Sequence, residues 1–548
     1  MTDRLIARLL AARNSQGHWT GELSSSALST ATAVIALHLQ GGHESLVNGG
    51  LGWLERTQNQ DSGWGDTVLS ISNISTSALC WAAFTLVGRS NERAPAYMAK
   101  ASGGLEPATL RQAIAARYVN YQTFSVPILT VLAVAGLVPW RVVPQLPFEL
   151  AAFPQSWFRF LQLPVVSYAL PALIAIGHVR FRKTRALNPL RHAAAGRTLR
   201  VLRDIQPPNG GFLEATPLTS FVTISLLAAG YVESPVAAKG IEFLEASARA
   251  DGSWPIDTNL ATWVTTLSVN ALQGAIPEQE RSAIREWLLG QQYKVRHSYT
   301  GADPGGWAWT DLPGGVPDAD DTAGALLALH NLGEADVTVV EAARAGAKWL
   351  ADMQNRDGGI PTFCKGWGKL PFDRSSPDIT AHALQAWLVW RPHLDSGVDK
   401  ATERAVAYLK RVQRQDGAWI PLWFGNQLAA NDENPLYGTA RVVAAMKLFP
   451  QAADATQRGV EWILRSQNPD GGWGGDKGIA SSIEETGLAI SALGGIIGSE
   501  SAMQKGRDWL SDATKVGEET PASAIGFYFA RLWYYEALYP LIFATGTG

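Results

Sequence analysis

Apolar positions recur with helical spacing along most of the chain, in runs such as Ala261–Leu272, Thr322–Leu332, Ile379–Val389 and Glu484–Leu493. Strand alternation is nearly absent, so the pattern predicts an all-α protein. Met1–Asn14 reads as a short amphipathic helix with charges throughout, unlike a secretion signal. Two longer apolar stretches, Phe124–Trp140 and Leu161–Val179, approach the roughly 20 residues of a membrane span. Pro127 and Pro139 break the first, and Pro164 and Pro171 the second. Both are therefore read as buried helices, with contact at a membrane surface as the second reading.

Between the helical runs a short segment repeats: an aromatic–Leu pair, a few residues, Gln, then Asp-Gly-Gly/Ser-Trp. Copies include Trp53-Leu54…Gln58…Asp61-Ser62-Gly63-Trp64, Phe243-Leu244…Asp251-Gly252-Ser253-Trp254, Tyr408-Leu409…Gln413…Asp416-Gly417-Ala418-Trp419 and Trp462-Ile463…Gln467…Asp470-Gly471-Gly472-Trp473. Gln206…Phe212 and Trp349…Ile360 are variants, and Gln16-Gly17-His18-Trp19 is a degenerate first copy. Each copy ends one helix and leads into another. Glycine is expected as a left-handed C-cap. The Gln amide is expected to bond backbone groups freed at a helix end, with Trp stacked on it. Helix pairs repeated in this way predict a closed or superhelical α/α array. On the repeats alone, a solenoid that only binds protein fits as well as an enzyme.

Composition narrows the classes. At 548 residues the chain is long enough for two or more domains. Charged residues are 17% and hydrophobic ones 46%, and the net charge is -3. No global basic field points to nucleic acid or anionic lipid. The two cysteines, Cys80 and Cys364, lie far apart. They provide no disulfide framework or Cys-based metal site, and they fit a reducing compartment.

The candidate chemistry lies in Asp318-Ala319-Asp320-Asp321, which follows Gly305-Gly306-Trp307-Ala308-Trp309 and opens an apolar helix. Crowded carboxylates in a dry site raise one another's pKa, so at least one is expected to stay protonated at neutral pH. A protonated carboxyl among aromatic rings is a general acid suited to a weak base such as a carbon–carbon double bond. An N-cap for the following helix explains one of the aspartates, but not three.

The repeats and this cluster together resemble the squalene–hopene and oxidosqualene cyclases, the class II terpene cyclases. The Gln…Gly-Trp segments resemble that family's QW motifs, and Asp318–Asp321 resembles its DxDD motif. Further matches are Gly17–Leu23, Pro139–Pro144 with Ser156–Arg159, Ser376–His382, Leu436–Thr439 and Gly526–Pro540. The resemblance implies two α/α barrels with a large apolar cavity between them. Residues 1–14 plus 261–548 would form the catalytic barrel, and 15–260 an inserted one. It implies Asp320 as proton donor, tuned by Asp318 and Asp321. His382 would be the donor's hydrogen-bonded partner, a protonated imidazole sharpening its acidity. Asp378, one turn earlier, would hold His382, and Tyr437 would help reprotonation through water. Trp309, Trp263, Trp423, Tyr528 and Tyr535 match or approach cavity aromatics, whose faces stabilise carbocations without attacking them. The repeat tryptophans Trp64, Trp254, Trp419 and Trp473 are assigned to the scaffold instead.

The resemblance further implies a linear isoprenoid substrate, squalene before others, and no metal or redox cofactor. It places the protein in the cytoplasm, peripheral on the inner face of the cell membrane, and leaves a homodimer open. Departures concern the product. Val264 stands where an aspartate usually follows Trp263, and Leu213-Glu214 replaces a Gln-Pro pair near the site of terminal deprotonation. Residues 426–435 are inserted before Tyr437, and the basic run Arg180–Arg185 replaces a longer segment. A prenylated aromatic or a polyprenyl diphosphate is the alternative substrate. A prenyltransferase-like protein or a non-catalytic α/α barrel is the alternative class. The former needs an Asp/Cys/His zinc cluster, which neither cysteine has around it.

Overall fold

The computed structural model describes residues 1–118, 124–161, 169–185, 187–333, 336–363, 373–527 and 531–547. The fold is all-α, as the periodicity predicts. Six helices, α1 (Ala261–Leu272), α2 (Ala319–Asn331), α3 (Pro377–Trp390), α4 (Pro435–Met446), α5 (Ile483–Leu493) and α6 (Tyr539–Thr545), each pack on the next, and α6 returns to α1. They form a closed inner ring. Helices Glu278–Gly290, Val337–Met353, Ser396–Val412, Ala453–Ser466 and Glu500–Ala513 pack outside it, and Thr2–Ala11 packs on α6. A second closed ring is formed by Ala27–Gln40, Ile74–Val87, Ser125–Val134, Leu170–Thr184 and Thr216–Ala228.

Sequence separates inner from outer helices. Inner helices are covered on all sides and are apolar or small almost throughout: α1 buries the nine consecutive positions Ala261–Val269 and, further on, Leu272. Outer helices are amphipathic. Ser396–Val412 buries Val398, Ala401, Ala405, Val406, Tyr408 and Leu409 and turns its Lys and Arg outward. The stretch Phe124–Trp140 contributes a buried inner helix, as expected. Leu161–Val179 does so from Leu170 onward, while 162–168 lie outside the described residues. Among the described residues no helix is long and apolar enough to cross a membrane. A small antiparallel sheet, β1 (Phe424–Gly425), β2 (Ile525–Phe527) and β3 (Leu532–Tyr534), is the exception to helix.

The repeats staple the layers in one recurring geometry. The indole N–H of Trp64, Trp254, Trp419 and Trp473 donates to the carbonyl ten residues earlier, at 2.7–2.9 Å. All four rings are fully buried, so the scaffold assignment is consistent with their positions. Each Trp backbone N–H donates to a hydroxyl near the start of a neighbouring inner helix, as Trp473 does to Thr486. The Gln amide joins two segments at once: Gln467 Nε2 donates to Gly471 O and to Ala502 O, both at 2.8 Å. The glycine differs from the expectation. Helix Ser396–Val412 is terminated by Gln413, and Gly417 sits four residues on, in the turn, at φ 99°. A Cβ there would lie 2.5 Å from the Arg458 carbonyl oxygen, so backbone contact as well as handedness requires glycine.

Buried side chains divide accordingly. One cluster joins Leu5, Leu9, Trp19 and Leu23 to residues from Ile256 to Ala544, and another spans Ala27 to Trp254. Leu532 packs against both, so β3 lies at the seam between the rings.

Gln467→Ala removes two donations to buried carbonyls and is expected to cost about 1–3 kcal/mol. A lower urea midpoint with unchanged helical circular dichroism checks this; an unchanged midpoint contradicts the stapling role.

Candidate active site

The first turns of the inner helices bring chemistry-bearing residues to one mouth of the ring. Trp263 comes from α1, Asp320 and Asp321 from α2, Asp378 from α3, Tyr437 from α4, Glu484 and Glu485 from α5, and Tyr539 from α6. Asp318 is the N-cap of α2: its carboxylate accepts the backbone N–H of Asp320 and of Asp321, each at 2.9 Å. The N-cap explanation therefore accounts for Asp318 and leaves the other two free of that duty. The start of α2 is fixed further by Asp318 N–H to Trp307 O (3.0 Å) and Ala319 N–H to Thr362 O (2.8 Å).

His382, one turn deeper on α3, reaches across to α2. Its Nδ1 lies 2.6 Å from Asp320 Oδ1. Gly324 leaves room for the imidazole: a Cβ there would lie 3.4 Å from His382 Cε1 and 3.1 Å from the Thr266 hydroxyl. Asp320 is also the most open of the three acids. Its side chain is 16% exposed, against 2% and 5% for residues Asp318 and Asp321. Asp378 does not hold His382. Its carboxylate accepts from the Ser376 hydroxyl, and no hydrogen bond joins it to His382 among the described residues. Sharing a helix face brought the two near, but Ser376, two residues away, reaches Asp378 first.

The electrostatics redistribute the crowding expected from the sequence. Burial, and the charges of its neighbours, push Asp321 well up, and burial pushes Asp318 to about 7; the two carboxyls lie within hydrogen-bond reach of each other. Asp320 departs from the expected raised pKa. Burial pushes it up, but the charge and hydrogen bond of His382, and then Arg441, outweigh burial and hold it down. His382 departs from the expected imidazolium. Burial and the Arg441 guanidinium lower it, against the opposing pull of Asp320. Asp378 is raised to about 6 by burial and by Asp320. Burial pushes the Tyr437 phenol well up. Asn434, within the inserted segment, caps α4 through Tyr437 N–H and donates to Glu485, so the insertion orders this mouth.

Aromatic rings surround the acid. Trp263 stands edge-on to His382 (centroids 6.4 Å, 77°) and donates its indole N–H to Tyr539 OH at 2.8 Å; Tyr539 OH lies 3.3 Å from Tyr534 OH. Trp309 and Trp423 both meet Phe363 edge to face, at 5.9 and 5.3 Å, so three rings form one wall. Trp309 also holds Trp263, accepting its backbone N–H at 3.0 Å. Tyr535 is placed elsewhere. Its backbone pairs with Ser24, and Glu22 and Arg249 are its charged neighbours. Neighbouring residues of an extended strand face opposite ways, and Tyr534 takes the site face. Tyr528 lies outside the described residues. Tyr534, Tyr539, Phe363 and Arg441 were not anticipated from the sequence. Arg441 falls one helical turn from Tyr437 and Tyr539 opens the Tyr539-Pro540 match, whereas Tyr534 and Phe363 carry no spacing signal.

A second pair of buried acids flanks Trp309. Glu214 accepts from Gly314 N–H and Asn209, both at 2.7 Å, and from the Thr258 hydroxyl at 3.1 Å. Burial and Glu214 push Asp257 well up, against the Trp309 indole. Leu213 and Glu214 both have left-handed backbone, φ 57° and 54°, so the Gln-Pro replacement is a turn that aims a carboxylate inward.

Two family profiles match the chain, squalene–hopene cyclase N-terminal domain over residues 3–189 and squalene–hopene cyclase C-terminal domain over 258–492. The squalene–hopene cyclase of Alicyclobacillus acidocaldarius is 27% identical over 523 residues, covering 81% of this chain and 78% of that protein. Enfumafungin synthase efuA of Hormonema carpetanum is 26% identical over 640 residues, and the chain spans 46% of its length. Among solved structures, ent-copalyl diphosphate synthase from Streptomyces platensis superposes with a TM-score of 0.58 at 20% identity, covering 100% of this chain and 98% of that one. This last likeness concerns the fold.

Carboxyls raised on folding favour the native state at low pH and lose that contribution as pH rises from their unfolded range near 4 through the folded value. For Asp318, Glu485 and Glu536, each raised to about 7, that window ends near neutrality. Asp321→Asn removes one charge from the crowded pair. It is expected to raise the unfolding free energy over wild type more at pH 8 than at pH 5, by more than about 1.4 kcal/mol, the worth of one pKa unit. An equal difference at both pH values contradicts the assignment.

Proposed function

The chain belongs to the squalene–hopene cyclase family of class II terpene cyclases, and on that footing we propose that it cyclises a linear polyprene, squalene before others, with Asp320 as the initiating acid. The observation that carries this reading is the Asp320–His382 contact of 2.6 Å at an aromatic ring mouth, with Asp320 the most open of the three aspartates. His382 engages Oδ1, which leaves Oδ2 to present the proton. The π pair of the substrate's terminal alkene takes that proton. A C–H bond forms, the O–H bond breaks, and a tertiary cation remains while Asp320 becomes a carboxylate. Each further alkene adds its π pair to the cation, closing a ring and moving the charge on. Loss of a proton, or capture of water, ends the cascade.

The aromatic faces supply the stabilisation that a bare cation lacks, roughly 0.5–2 kcal/mol per ring according to desolvation. Trp263, Trp309 and Trp423, with Phe363 and Tyr534, are the rings assigned to that role. Asp318 and Asp321 are assigned to shaping the acid, and Tyr437 to passing a proton from water back to Asp320. The catalytic barrel is taken as residues 1–14 plus 261–548 and the inserted barrel as 15–260. A docking face at a membrane, cytoplasmic side, is supported by the exposure of Phe153 (43%), Trp157 (47%) and Phe160 (85%). The basic run Arg180–Arg185 supports it less. Arg180 donates to Val143 O and Arg182 lies over the Tyr231 ring, so part of that run is occupied internally.

Purified protein incubated in detergent with squalene, oxidosqualene or geranylgeranyl diphosphate is expected to give cyclised product from squalene, read by mass spectrometry. Asp320→Asn is expected to lower the rate by about 10²–10⁴-fold, the usual share of a general acid. Cyclisation of geranylgeranyl diphosphate alone would move the substrate class. No cyclised product from any of the three would overturn the enzymatic reading, and full activity in Asp320→Asn would overturn the mechanism.

A further inference from the structure

Asp66 takes no part in the proposed chemistry, yet it is a buried acid that reaches from one ring into the other. It stands in the loop before helix Ile74–Val87 of the second ring and is 1% exposed. Its Oδ1 accepts from Asn73 Nδ2 at 2.9 Å and from the Thr76 hydroxyl. Its backbone carbonyl accepts the N–H of Ala27, the first residue of the neighbouring helix Ala27–Gln40. These bonds fix it at the first turns of two inner helices. Capping does not explain the carboxylate, because Asn73 caps Ile74–Val87 itself, accepting from Ser75 N–H and Thr76 N–H. The remaining oxygen leaves the ring: Oδ2 accepts the backbone N–H of Trp533, in β3, at 2.9 Å. Burying a carboxylate is costly unless its oxygens are bonded, and here both are.

β3 is held along both edges. Leu532 and Tyr534 pair with Phe527 and Ile525 of β2. In an antiparallel pair alternate residues exchange hydrogen bonds with the partner strand, and those between offer N–H and C=O to the other edge. On β3 and its flanks these are Arg531, Trp533 and Tyr535, and each bonds to the second ring or to the segment leading into it. Arg531 O accepts from Arg117 Nη2 at 3.2 Å, and Trp533 N–H donates to Asp66. Tyr535 exchanges two bonds with Ser24: its N–H donates to the hydroxyl at 3.1 Å, and its carbonyl accepts the Ser24 N–H at 2.8 Å. The side chain of Arg531 is paired with Asp432, in the segment before α4. The three sites have one parity and so hold one register. A slip by a single residue would turn Trp533 or Tyr535 to the face that Tyr534 now takes. The Asp66 bond is the central one of the three, and it comes from a side chain that two donors already hold in place.

We propose that Asp66 is a positioning residue for the cyclisation: by holding the Trp533 N–H it fixes the register and depth of β3, so that the second ring places the Tyr534 side chain in the site of the first. Tyr534 OH then lies 3.3 Å from Tyr539 OH, which accepts the Trp263 indole N–H at 2.8 Å, and Trp263 stands edge-on to His382. The path from Asp66 to the acid's partner therefore runs through Trp533, Tyr534, Tyr539 and Trp263. Each step is a chain bond, a hydrogen bond or a ring contact. Asp66 touches no substrate and moves no proton. It sets where one aromatic wall stands. A ring stabilises a cation only within about 6 Å of its centroid, so a displaced wall lets loss of a proton overtake the next ring closure.

The inference rests on the cyclase reading for its catalytic consequence, and its test separates the two. Hydrogen exchange of the full chain is read at the Trp533 amide by fragmentation mass spectrometry. In the wild type that amide is expected to be protected; exchange at the rate of an exposed amide overturns the proposal without recourse to any variant. Asp66→Asn keeps the size of the side chain and turns an N–H toward either Trp533 or the Asn73–Thr76 pair. It is expected to speed exchange at Trp533 by at least about tenfold. The amides of Trp419 and Trp473, bonded to Thr439 and Thr486 in the first ring, are expected to stay as in the wild type. An unchanged Trp533 amide in a folded Asp66→Asn overturns the proposal, and so does equal acceleration at all three amides. Thr76→Val leaves Asp66 in place but removes one donor that fixes it, and it gives a milder form of the same readout should Asp66→Asn not fold; no change there overturns the proposal. In the squalene assay, Asp66→Asn and Tyr534→Leu are each expected to raise the share of partly cyclised products, and the double variant to resemble Tyr534→Leu alone. A wild-type product spectrum in Asp66→Asn, or effects of the two substitutions on kcat that simply multiply, overturns the positioning role. Should the wild type cyclise no polyprene, the parent reading fails while the exchange arm still decides whether Asp66 holds β3.

Discussion

On the proposed reading the structure turns on one constraint: a carboxyl must keep its proton in a dry aromatic site and still give it to a base as weak as an alkene. Burial alone keeps the proton but makes the acid weaker. A charged imidazole alone makes the acid stronger but invites the proton to leave for solvent. The arrangement around Asp320 divides the two demands. Asp318 and Asp321 absorb the cost of crowding, Asp318 by accepting the backbone N–H groups that start α2 and Asp321 by lying within hydrogen-bond reach of Asp318. His382 fixes the orientation of Asp320 from one side, through the 2.6 Å contact of Nδ1 with Oδ1.

The fold exists to put those groups at one mouth. In a closed ring of inner helices the first turns converge, so six short segments far apart in sequence contribute to one site of a few side chains. The outer helices and the Trp–Gln turns hold the ring shut. The four indole N–H groups close onto the carbonyl ten residues earlier, and the amides of Gln354, Gln413 and Gln467 span to the next outer helix. The tryptophans of the repeats are therefore consumed by the scaffold, while Trp263 stands edge-on to His382, and Trp309 and Trp423 to Phe363. At the seam between the two rings, β3 brings Tyr534 to the site.

The periodic helices, the repeat turns and the acidic cluster were legible because each is local. Helix period, a glycine turn and a capping aspartate all lie within a dozen residues. What was not legible is set by tertiary contact. That Asp318 and Asp321, rather than Asp320, carry the raised pKa depends on a histidine 62 positions away. Asp378 shares a helix face with His382, which suggested a bond, but Ser376 takes its carboxylate. Tyr534 and Tyr535 are indistinguishable in sequence, and the pairing of β2 with β3 decides which of them faces the site. Arg441 lay at readable spacing from Tyr437, yet an arginine in an apolar helix reads as an exposed position until the neighbouring helix is in place.

Multiple turnovers of squalene in D₂O, with the product analysed by mass spectrometry and NMR, test the central claim most directly. If Asp320 gives its proton to the alkene and regains one from solvent, each product molecule carries one deuterium on the carbon of the first-formed ring that received the proton. Asp320→Asn then forms that product at least about 10²-fold more slowly. Product free of deuterium at that carbon, or the same labelled product from Asp320→Asn at the wild-type rate, would contradict the account.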